Sequence, residues 1–239
     1  MLLKPILQSQ ASVNTITSWF WGQESRVPRW KRTLDVTCTL VAAPLLLPLG
    51  FLIALMIKIV SPGPVLFRQE RVGYRGQRFT CFKFRTMTVQ ADSRVHHEHL
   101  VGLMTSDRPM LKLDGAGDSR LIRCGLLLRS LGLDELPQLI NVLHGEMSLV
   151  GPRPCIPYEC QNYQPRHWRR FETLPGLTGL WQVSGKNRTT FEEMIDLDIR
   201  YVETCSPLLD LKILARTIPA IIGQVYDMRR RQSDERTTV

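Results

Sequence analysis

The segment from Val36 to Ile57 contains no charged residue and consists mainly of leucine, isoleucine, valine and alanine. As a helix it would be about 33 Å long, enough to cross the ~30 Å hydrocarbon core of a bilayer. It starts too far along the chain for a secretory signal, and no small-residue cleavage site follows it. It therefore predicts a membrane helix, to which the rest of the fold must attach.

Two features of this segment bear on how it meets the bilayer. Pro44 and Pro48 lie near its middle, and a bend is expected there because each proline removes a backbone hydrogen bond. A spanning helix carries its basic excess on the cytoplasmic side only. Here both flanks are basic: Arg26, Arg29, Lys31 and Arg32 before the segment, and Lys58, Arg68, Arg71, Arg75 and Arg78 after it. The residues leave open a kinked single-pass helix and a re-entrant helix with both ends in the cytoplasm.

The charge of the chain selects the kind of partner. Lysine and arginine exceed aspartate and glutamate, 31 against 22, for a net charge of +9. This balance favours an anionic partner: nucleic acid, anionic lipid or a phosphorylated substrate. The six cysteines include no Cys-x-x-Cys pair, which is typical of reduced intracellular thiols. Three of the five histidines cluster at residues 96–99 in a polar stretch, where a solvated segment is favoured over a metal centre.

Composition divides the chain into four regions. Residues 1–27 are mildly amphipathic, and an interfacial anchor and a disordered lead-in are both open for them. Residues 28–60 contain the membrane helix, and residues 61–227 form a globular domain. The charged tail at 228–239 is predicted to be disordered.

Periodicity predicts the elements of the globular domain. Short strands are expected at Val65–Phe67 and Phe79–Phe84, around a turn at Gly73–Gln77. Helices are expected at Leu121–Leu131, Leu136–Leu143, Phe191–Cys205 and Pro207–Val225, and a loop at His96–Gly117. Few strands and several short helices predict a mostly helical α+β domain that sits on the membrane through amphipathic interfacial helices.

An acidic pair, Asp134 and Glu135, opens one of these helical segments. In one alternative, Asp134 is an ordinary N-cap with Glu135 in the first turn. In the other, the helix N-terminus binds phosphate and one carboxylate attacks phosphorus as a nucleophile. Two adjacent carboxylates also suit Mg²⁺, which prefers one or two acidic ligands plus phosphate oxygens. The positions of the two carboxylates in the sequence do not show which one would act as the nucleophile and which one would bind Mg²⁺.

A diphosphate repels a carboxylate nucleophile, so cations must surround such a site. The candidates are Lys83, Arg85, Arg129 and Arg153. Arg153 stands between Pro152 and Pro154, which limit its backbone and preorganise its guanidinium for bidentate contact with phosphate. The chain contains no Walker loop and no Gly-x-Gly-x-x-Gly motif, so an ordinary P-loop or Rossmann nucleotide site is not expected.

Five blocks follow one another along the chain. They are KRTLD at Lys31–Asp35, SPGPVLFRQERVG at Ser61–Gly73, FKFRTM at Phe82–Met87, LDELPQLINVLHGEMSLVGPRP at Leu133–Pro154 and PGLTGLWQVSGKNR at Pro175–Arg188. With these blocks the chain resembles the bacterial sugar transferase family: monotopic phosphoglycosyl transferases that prime polyprenyl-phosphate-linked glycan synthesis. It resembles the compact form, without the N-terminal bundle of membrane helices that larger relatives carry.

The resemblance implies a chemistry for the acidic pair. Asp134 matches the family's nucleophile, which would attack the sugar-bearing phosphate of a UDP-sugar, release UMP and hold a covalent phosphosugar. Polyprenyl phosphate, such as undecaprenyl phosphate, would then accept the phosphosugar in a second, ping-pong half-reaction. Glu135 matches the acidic partner, and Mg²⁺ would neutralise the diphosphate beside the pair. The matching substrate-binding positions are Lys83, Arg129, Pro152, Arg153 and Pro154.

The resemblance also implies a re-entrant membrane helix that bends at Pro48, with the 61–227 catalytic domain on the cytoplasmic face of the bacterial inner membrane. Leu47 stands where relatives commonly have serine, and Pro44 is an additional proline. Both departures concern the geometry of the bend and not the chemistry.

Two other functions are consistent with the same residues. One is a membrane-attached, metal-dependent phosphohydrolase that uses the acidic pair to activate water. The other is a non-enzymatic basic adaptor that binds lipid. Nucleic acid is not the expected partner, because aromatic residues are not interleaved with the basic ones beyond Trp168. No motif separates glucose, galactose and N-acetylated sugars, and none gives the oligomeric state.

Overall fold

The computed structural model describes residues 27–88, 94–104, 106, 108–110, 120–186 and 188–237, with side chains placed for all of these except 94–98 and 227–237. The described chain is mostly helical and contains two sheets of two strands each. This confirms the predicted mostly helical α+β class. Apart from Val27, the lead-in predicted at residues 1–27 lies outside the described residues.

The first helix, α1 (Arg29–Val60), contains the whole uncharged segment and runs through Pro44 and Pro48. Among the described residues it alone is long and apolar enough to cross a membrane, and only 11% of its most apolar window is buried. Its exposed apolar side chains include Leu40, Val41, Leu45, Leu47, Phe51, Leu52 and Leu55. An exposed apolar surface of this size indicates association with a membrane. The bend at Pro48 and the re-entrant path stay predictions.

Both ends of α1 contact the rest of the protein. Near its start, Lys31, Asp35 and Thr39 are buried, and near its end Ile53 and Ile57 are buried. The residues that pack around the C-terminal end are Phe84, Ile122 and Leu128. Most of the large apolar side chains between the two contacts are exposed, and Leu46 and Leu49 are half-buried. One globular body therefore holds the helix at two separate places.

Strands β1 (Leu66–Val72) and β2 (Arg78–Phe84) form an antiparallel hairpin that closes through a 3₁₀ turn at Tyr74–Gly76. The turn uses left-handed backbone at Arg75 (φ 52°) and Gly76 (φ 72°). The hairpin predicted around Gly73–Gln77 is confirmed. Strand β1 is longer than predicted, because charged residues occupy its C-terminal half and hide the apolar strand pattern.

Two short helices, α3 (Gly125–Ser130) and α4 (Gln138–His144), precede strand β3 (Ser148–Val150), which pairs in parallel with β4 (Gly176–Thr178). Both helices were predicted, with longer bounds. The main core gathers residues of β2, α4, β3 and the C-terminal helices: Cys81, Val142, Met147, Leu149, Val150, Tyr201 and Ile213. Behind β3 the backbone is tightly packed, since a Cβ atom at Gly151 would lie 2.2 Å from Leu174 O.

Three helices complete the fold: α5 (Leu180–Val183), α6 (Phe191–Thr204) and α7 (Pro207–Thr237). Helix α6 begins at a capping box in which Thr190 and Glu193 each accept from the other's backbone N–H. It confirms the helix predicted from the periodic residues of that segment. Helix α7 continues through Thr237, where the sequence predicts a disordered tail. The arginine, glutamine and glutamate of that tail are good helix formers.

The loop predicted at His96–Gly117 is wrong in its first part, because α2 (Arg94–Met104) is a helix. Leu100 and Leu103, three residues apart, are buried in a cluster with Trp181 and Phe191. The polarity of the histidine-rich start concealed this short apolar stripe. The second part of the predicted loop lies mostly outside the described residues.

Candidate active site

The hairpin presents one face to the centre of the protein. Cys81 pairs with Gln69 across the strands, and Arg71 lies opposite Phe79. Because alternate residues of a strand share a face, Gln69, Arg71, Cys81 and Lys83 all lie on the same side. Cys81 and Arg71 are buried, and Lys83 is half-buried. This face brings two cations beside the main core.

The acidic pair lies on a 3₁₀ turn, Leu133–Glu135, that follows Gly132 in left-handed backbone (φ 69°). Asp134 is 9% exposed, and Glu135 is half-exposed. The residue before α4 is Pro137, so Asp134 does not hold the N-cap of that helix. The N-cap alternative is wrong. The adjacent α4 has only seven residues, and the pair sits ahead of it on a separate turn.

Two of the predicted cations lie next to this turn. Lys83 Nζ is 2.7 Å from Glu135 Oε1, in a pair whose side chains are 21% and 31% exposed. Arg129, in the last turn of α3, lies with Nη1 3.5 Å from Thr86 Oγ1, just beyond the end of β2. Helix α3 packs against the turn that carries the acidic pair. The structure therefore places Lys83 in contact with Glu135, and Arg129 on the helix that packs against the acidic turn.

The Pro152-Arg153-Pro154 loop follows β3 directly. The Arg153 side chain is 29% exposed, and its Nη1 atom lies 3.8 Å from the buried Oε1 of Glu159. The start of β4 contacts this loop, since Gly176 N donates to Pro152 O at 2.8 Å. The loop is thus fixed beside the parallel strand pair.

The buried thiol of Cys81 connects these groups. Burial raises the pKa of Cys81, the positive charges of Lys83, Arg71 and Arg153 act against that shift, and Glu135 adds to it. Geometry connects the same groups: Arg71, on the hairpin face that carries Lys83, donates to Pro154 O at 2.9 Å. The Pro152-Arg153-Pro154 loop therefore contacts the hairpin face that carries Lys83.

Asn141 was not singled out in the sequence, yet it ties α4 to the hairpin. Its amide nitrogen donates to Thr80 O at 2.7 Å and to Glu146 at 2.6 Å, and its oxygen accepts from Phe82 N at 3.2 Å. These bonds fix the strand residues on both sides of Cys81 and next to Lys83. A polar residue on the apolar face of a predicted helix was the available signal.

Arg85, the remaining candidate cation, is buried. It donates to Ser61 O and Pro62 O, both at 2.8 Å, and so fixes the chain that leaves α1. Its role as a phosphate-binding cation stays a prediction, since these bonds use only two of the five N–H donors of the guanidinium. Arg32 likewise fixes the other end of α1, where it donates to Val142 O and Leu143 O at the end of α4.

The donor set at the turn can be tested against a metal ion. In the part of the chain that the structure describes, no group of three or more His, Cys, Asp or Glu side chains could hold a metal. Asp134 and Glu135 supply two carboxylates only. A cation there would complete its shell with water or phosphate oxygens, which is the ligand set that Mg²⁺ accepts most readily. The residues fit Mg²⁺.

Known proteins are similar to this chain over most of its length. The family model for bacterial sugar transferases matches residues 26–224. The chain is 38% identical over 191 residues to the exopolysaccharide production protein ExoY of Rhizobium meliloti, covering 80% of this chain and 84% of the relative. It is 41% identical over 200 residues to the UDP-glucose:undecaprenyl-phosphate glucose-1-phosphate transferase of Caulobacter vibrioides, covering 80% and 69%.

A third relative is named for a different sugar. The undecaprenyl-phosphate galactose phosphotransferase of Salmonella typhimurium is 35% identical over 199 residues, which cover 80% of this chain and 40% of that protein. Both the extent of the family match and these identities lead to the same assignment. The chain belongs to the bacterial sugar transferase family.

Proposed function

We propose that this phosphoglycosyl transferase moves a sugar-1-phosphate from a UDP-sugar to polyprenyl phosphate and releases UMP, through a covalent phosphosugar on Asp134. The observation that carries the proposal is the position of Asp134, a largely buried carboxylate beside the Lys83–Glu135 pair of 2.7 Å. The names of the relatives support the donor and acceptor classes.

In the first half-reaction, an Asp134 oxygen attacks the phosphorus that carries the sugar. The bond from that phosphorus to the bridging oxygen breaks, UMP leaves with the electron pair, and an acyl phosphate joins Asp134 to the sugar. Lys83, Arg129 and Arg153 offset the charge of the diphosphate, so that the carboxylate can approach. The pairing of Lys83 with Glu135 keeps the ammonium beside the nucleophile.

In the second half-reaction, an oxygen of polyprenyl phosphate attacks the same phosphorus. The acyl phosphate bond breaks, Asp134 is restored as a carboxylate, and the product is a polyprenyl diphosphate sugar. The acceptor is embedded in the membrane, so the turn with Asp134 must lie close to the bilayer. The contact between the C-terminal end of α1 and Phe84, one residue from Lys83, supports this placement.

We assign α1 a re-entrant path on the cytoplasmic face of the bacterial inner membrane. Support comes from the burial of both ends of α1, at Lys31 and at Ile57, against a single globular body. A straight spanning helix would take one of those ends to the opposite side of the membrane. The basic flanks on both sides of α1 are consistent with anionic lipid on that one face.

Mg²⁺ is the proposed cofactor, held by Asp134 and Glu135. When bound it supplies positive charge to the donor diphosphate and lowers the repulsion that the carboxylate nucleophile meets. The protein's part is to keep Glu135 oriented through Lys83 and to limit water at Asp134 by burial.

Intact mass spectrometry of the detergent-purified protein tests the covalent step. The protein is incubated with Mg²⁺ and either UDP-glucose, UDP-galactose or their N-acetylated counterparts, without a lipid acceptor. We expect an adduct with the mass of one sugar phosphate, and none for Asp134→Asn. The mass distinguishes a hexose from an N-acetylated sugar, and the donor that yields the adduct identifies the sugar.

Other outcomes identify the competing functions. UMP release that needs undecaprenyl phosphate but forms no adduct would replace the covalent route by direct transfer. Free sugar phosphate without acceptor dependence would indicate the phosphohydrolase. Neither adduct nor turnover with any of these donors would contradict the proposal and favour the lipid-binding adaptor.

A further inference from the structure

Four consecutive carbonyl groups, from Pro152 to Cys155, are each held by a different part of the protein. Pro152 O accepts from Gly176 N at 2.8 Å, and Cys155 O accepts from Val72 N at 2.9 Å. Between them, Arg153 O accepts from Arg170 Nη2 at 3.0 Å, and Pro154 O accepts from Arg71 Nη1 at 2.9 Å. The two central bonds come from buried guanidinium groups, which are 5% exposed for Arg71 and 2% for Arg170.

The sequence of the loop explains why the fold holds it this way. Pro152 and Pro154 have no N–H, so the loop offers few donors through which other segments could fix it. Its carbonyl oxygens are therefore the main backbone groups through which other segments can hydrogen-bond to it. A guanidinium suits this task because it has five donors in a rigid planar fork.

Each of the two arginines is itself fixed on a separate element. Arg71 Nη2 donates to Gln69 Oε1 at 2.6 Å on the same face of β1. Arg170 Nη1 donates to Tyr163 OH at 2.6 Å, and Arg170 Nη2 lies 2.6 Å from Asp198 Oδ2 on α6. A buried charge is costly unless it is well bonded, and these bonds fix both Nη atoms of each guanidinium, while the two Nε atoms have no partner among the described residues.

The charges around Arg153 differ from those around Arg170. Burial lowers the pKa of Arg71, Arg153 lowers it further, and Glu159 acts in the opposite direction. Arg170 has its own carboxylate in Asp198. Three guanidinium groups, those of Arg71, Arg153 and Arg170, thus lie around two carboxylates, Glu159 and Asp198. The local excess of positive charge favours an anion in front of Arg153.

We propose that Arg71 and Arg170 are positioning residues that hold the Pro152-Arg153-Pro154 loop by its carbonyls and so orient Arg153 toward the anionic diphosphate of the donor. This inference rests on the proposed role of Arg153 in donor binding. Neither arginine contacts the reacting atoms in this arrangement; each acts through the backbone of Arg153.

A double-mutant cycle separates positioning from a merely structural role. UMP release from the UDP-sugar in the presence of undecaprenyl phosphate is measured for four forms of the full chain. These are the wild type, Arg153→Met, Arg71→Lys and the double variant. Lysine keeps the charge but not the fork that reaches Pro154 O and Gln69 together. We expect Arg71→Lys to lower kcat/KM by up to about 100-fold, the cost of a small misplacement at a reacting centre. In the Arg153→Met background the same change should have almost no further effect.

Matched controls lie beside each arginine. Arg78→Lys changes an exposed arginine on the same hairpin, and Arg169→Lys changes the exposed neighbour of Arg170. Both should keep wild-type kcat/KM, while Arg170→Lys should behave as Arg71→Lys does. Hydrogen exchange of the Val72 and Gly176 amides, which bond the same loop, should accelerate in Arg71→Lys and Arg170→Lys and not in the controls.

The outcomes distinguish the two proposals. If Arg153→Met keeps full kcat/KM, the proposed role of Arg153 is wrong, whatever Arg71→Lys does. Suppose instead that Arg153→Met lowers kcat/KM, and that Arg71→Lys lowers kcat/KM by the same factor in the Arg153→Met background as in the wild type. The positioning role of Arg71 is then overturned, while donor binding by Arg153 stands. Should Arg71→Lys fail to fold, Gln69→Met replaces it, because it removes the support of Arg71 and keeps the arginine. Wild-type activity and exchange in that variant would also overturn the inference.

Discussion

Lys31 Nζ lies 2.7 Å from Asp210 Oδ2, and both side chains are fully buried. The same ammonium donates to Tyr201 OH at 2.7 Å and to Val150 O at 2.8 Å, so its three N–H groups are all used. These bonds join the start of α1 to α7, α6 and β3. Because β3 leads directly into the Pro152-Arg153-Pro154 loop, the membrane helix and the candidate phosphate-binding loop share one buried polar centre.

Lys31→Met should destabilise the protein strongly. It leaves the Asp210 carboxylate buried without its cation, which costs about 3–5 kcal/mol. The loss is measured as a lowered midpoint of denaturant unfolding in detergent. Lys212→Met, an exposed lysine on the same helix as Asp210, is the control and should change little. Adding Asp210→Leu to Lys31→Met should recover part of the stability, and a further loss in that double variant would contradict the assignment.

Both ends of α1 should be accessible from the same side of the membrane. Single cysteines at Arg29 and Lys58, which are exposed at the two ends, are labelled with a charged maleimide in vesicles of defined orientation. A cysteine at Arg78, on the hairpin of the globular domain, marks the cytoplasmic side. We expect all three to react from that side alone. The labelling of the native cysteines is measured in the protein without an added cysteine and is subtracted. Reaction of Arg29→Cys from the opposite side would establish a single-pass helix.

Glu135→Gln should weaken the dependence of the enzyme on its metal. The amide keeps the shape of the side chain but removes one of two anionic ligands and the charge that pairs with Lys83. We expect the Mg²⁺ concentration for half-maximal UMP release to rise by about tenfold or more, the equivalent of roughly 1.4 kcal/mol. Glu70→Gln, an exposed glutamate paired with Arg78, is the matched control. An unchanged Mg²⁺ titration would remove Glu135 from the metal site.

Local patterns were sufficient for several elements. The turn residues at Gly73–Gln77 predicted the hairpin, and the periodic apolar residues of Phe191–Thr204 predicted α6, because each element is determined by near neighbours in sequence. Helix α2 was missed because Leu100 and Leu103 form a stripe of only a few residues, whose burial depends on Trp181 far along the chain.

The supporting polar residues could not be predicted in the same way. Lys31 and Val150 O are 119 residues apart, and nothing near Lys31 marks it as buried. The sequence marks Arg71 only as one of the basic residues that flank α1 and does not single out Arg170, since a single sequence does not distinguish an exposed arginine from one that bonds a distant carbonyl. A charged residue on the inward face of a strand, as Arg71 is, becomes a signal only once the register is known.

His167 should make stability depend on pH. It is 1% exposed, and its Nδ1 atom accepts from Gln164 N at 3.2 Å, so the neutral ring is the form that fits. Burial lowers the pKa of His167 below its ordinary value of 6.5, Glu192 at 3.3 Å opposes the shift, and Arg166 adds to it. The unfolded chain therefore binds a proton more readily, and the stability that His167 contributes is complete above pH ~6.5 and lost as the pH falls below it.

The comparison of wild type with His167→Asn isolates this contribution, because the asparagine oxygen can replace Nδ1 as acceptor and does not titrate. Wild type should be the more stable protein at pH 8, since the imidazole packs edge-on against Tyr163 and Phe191 at 5.6 and 5.5 Å between ring centres. The difference in unfolding midpoint should shrink as the pH falls from about 7 to 5. A difference that stays constant or grows over this range would mean that the folded protein accommodates the imidazolium, with Glu192 as its partner.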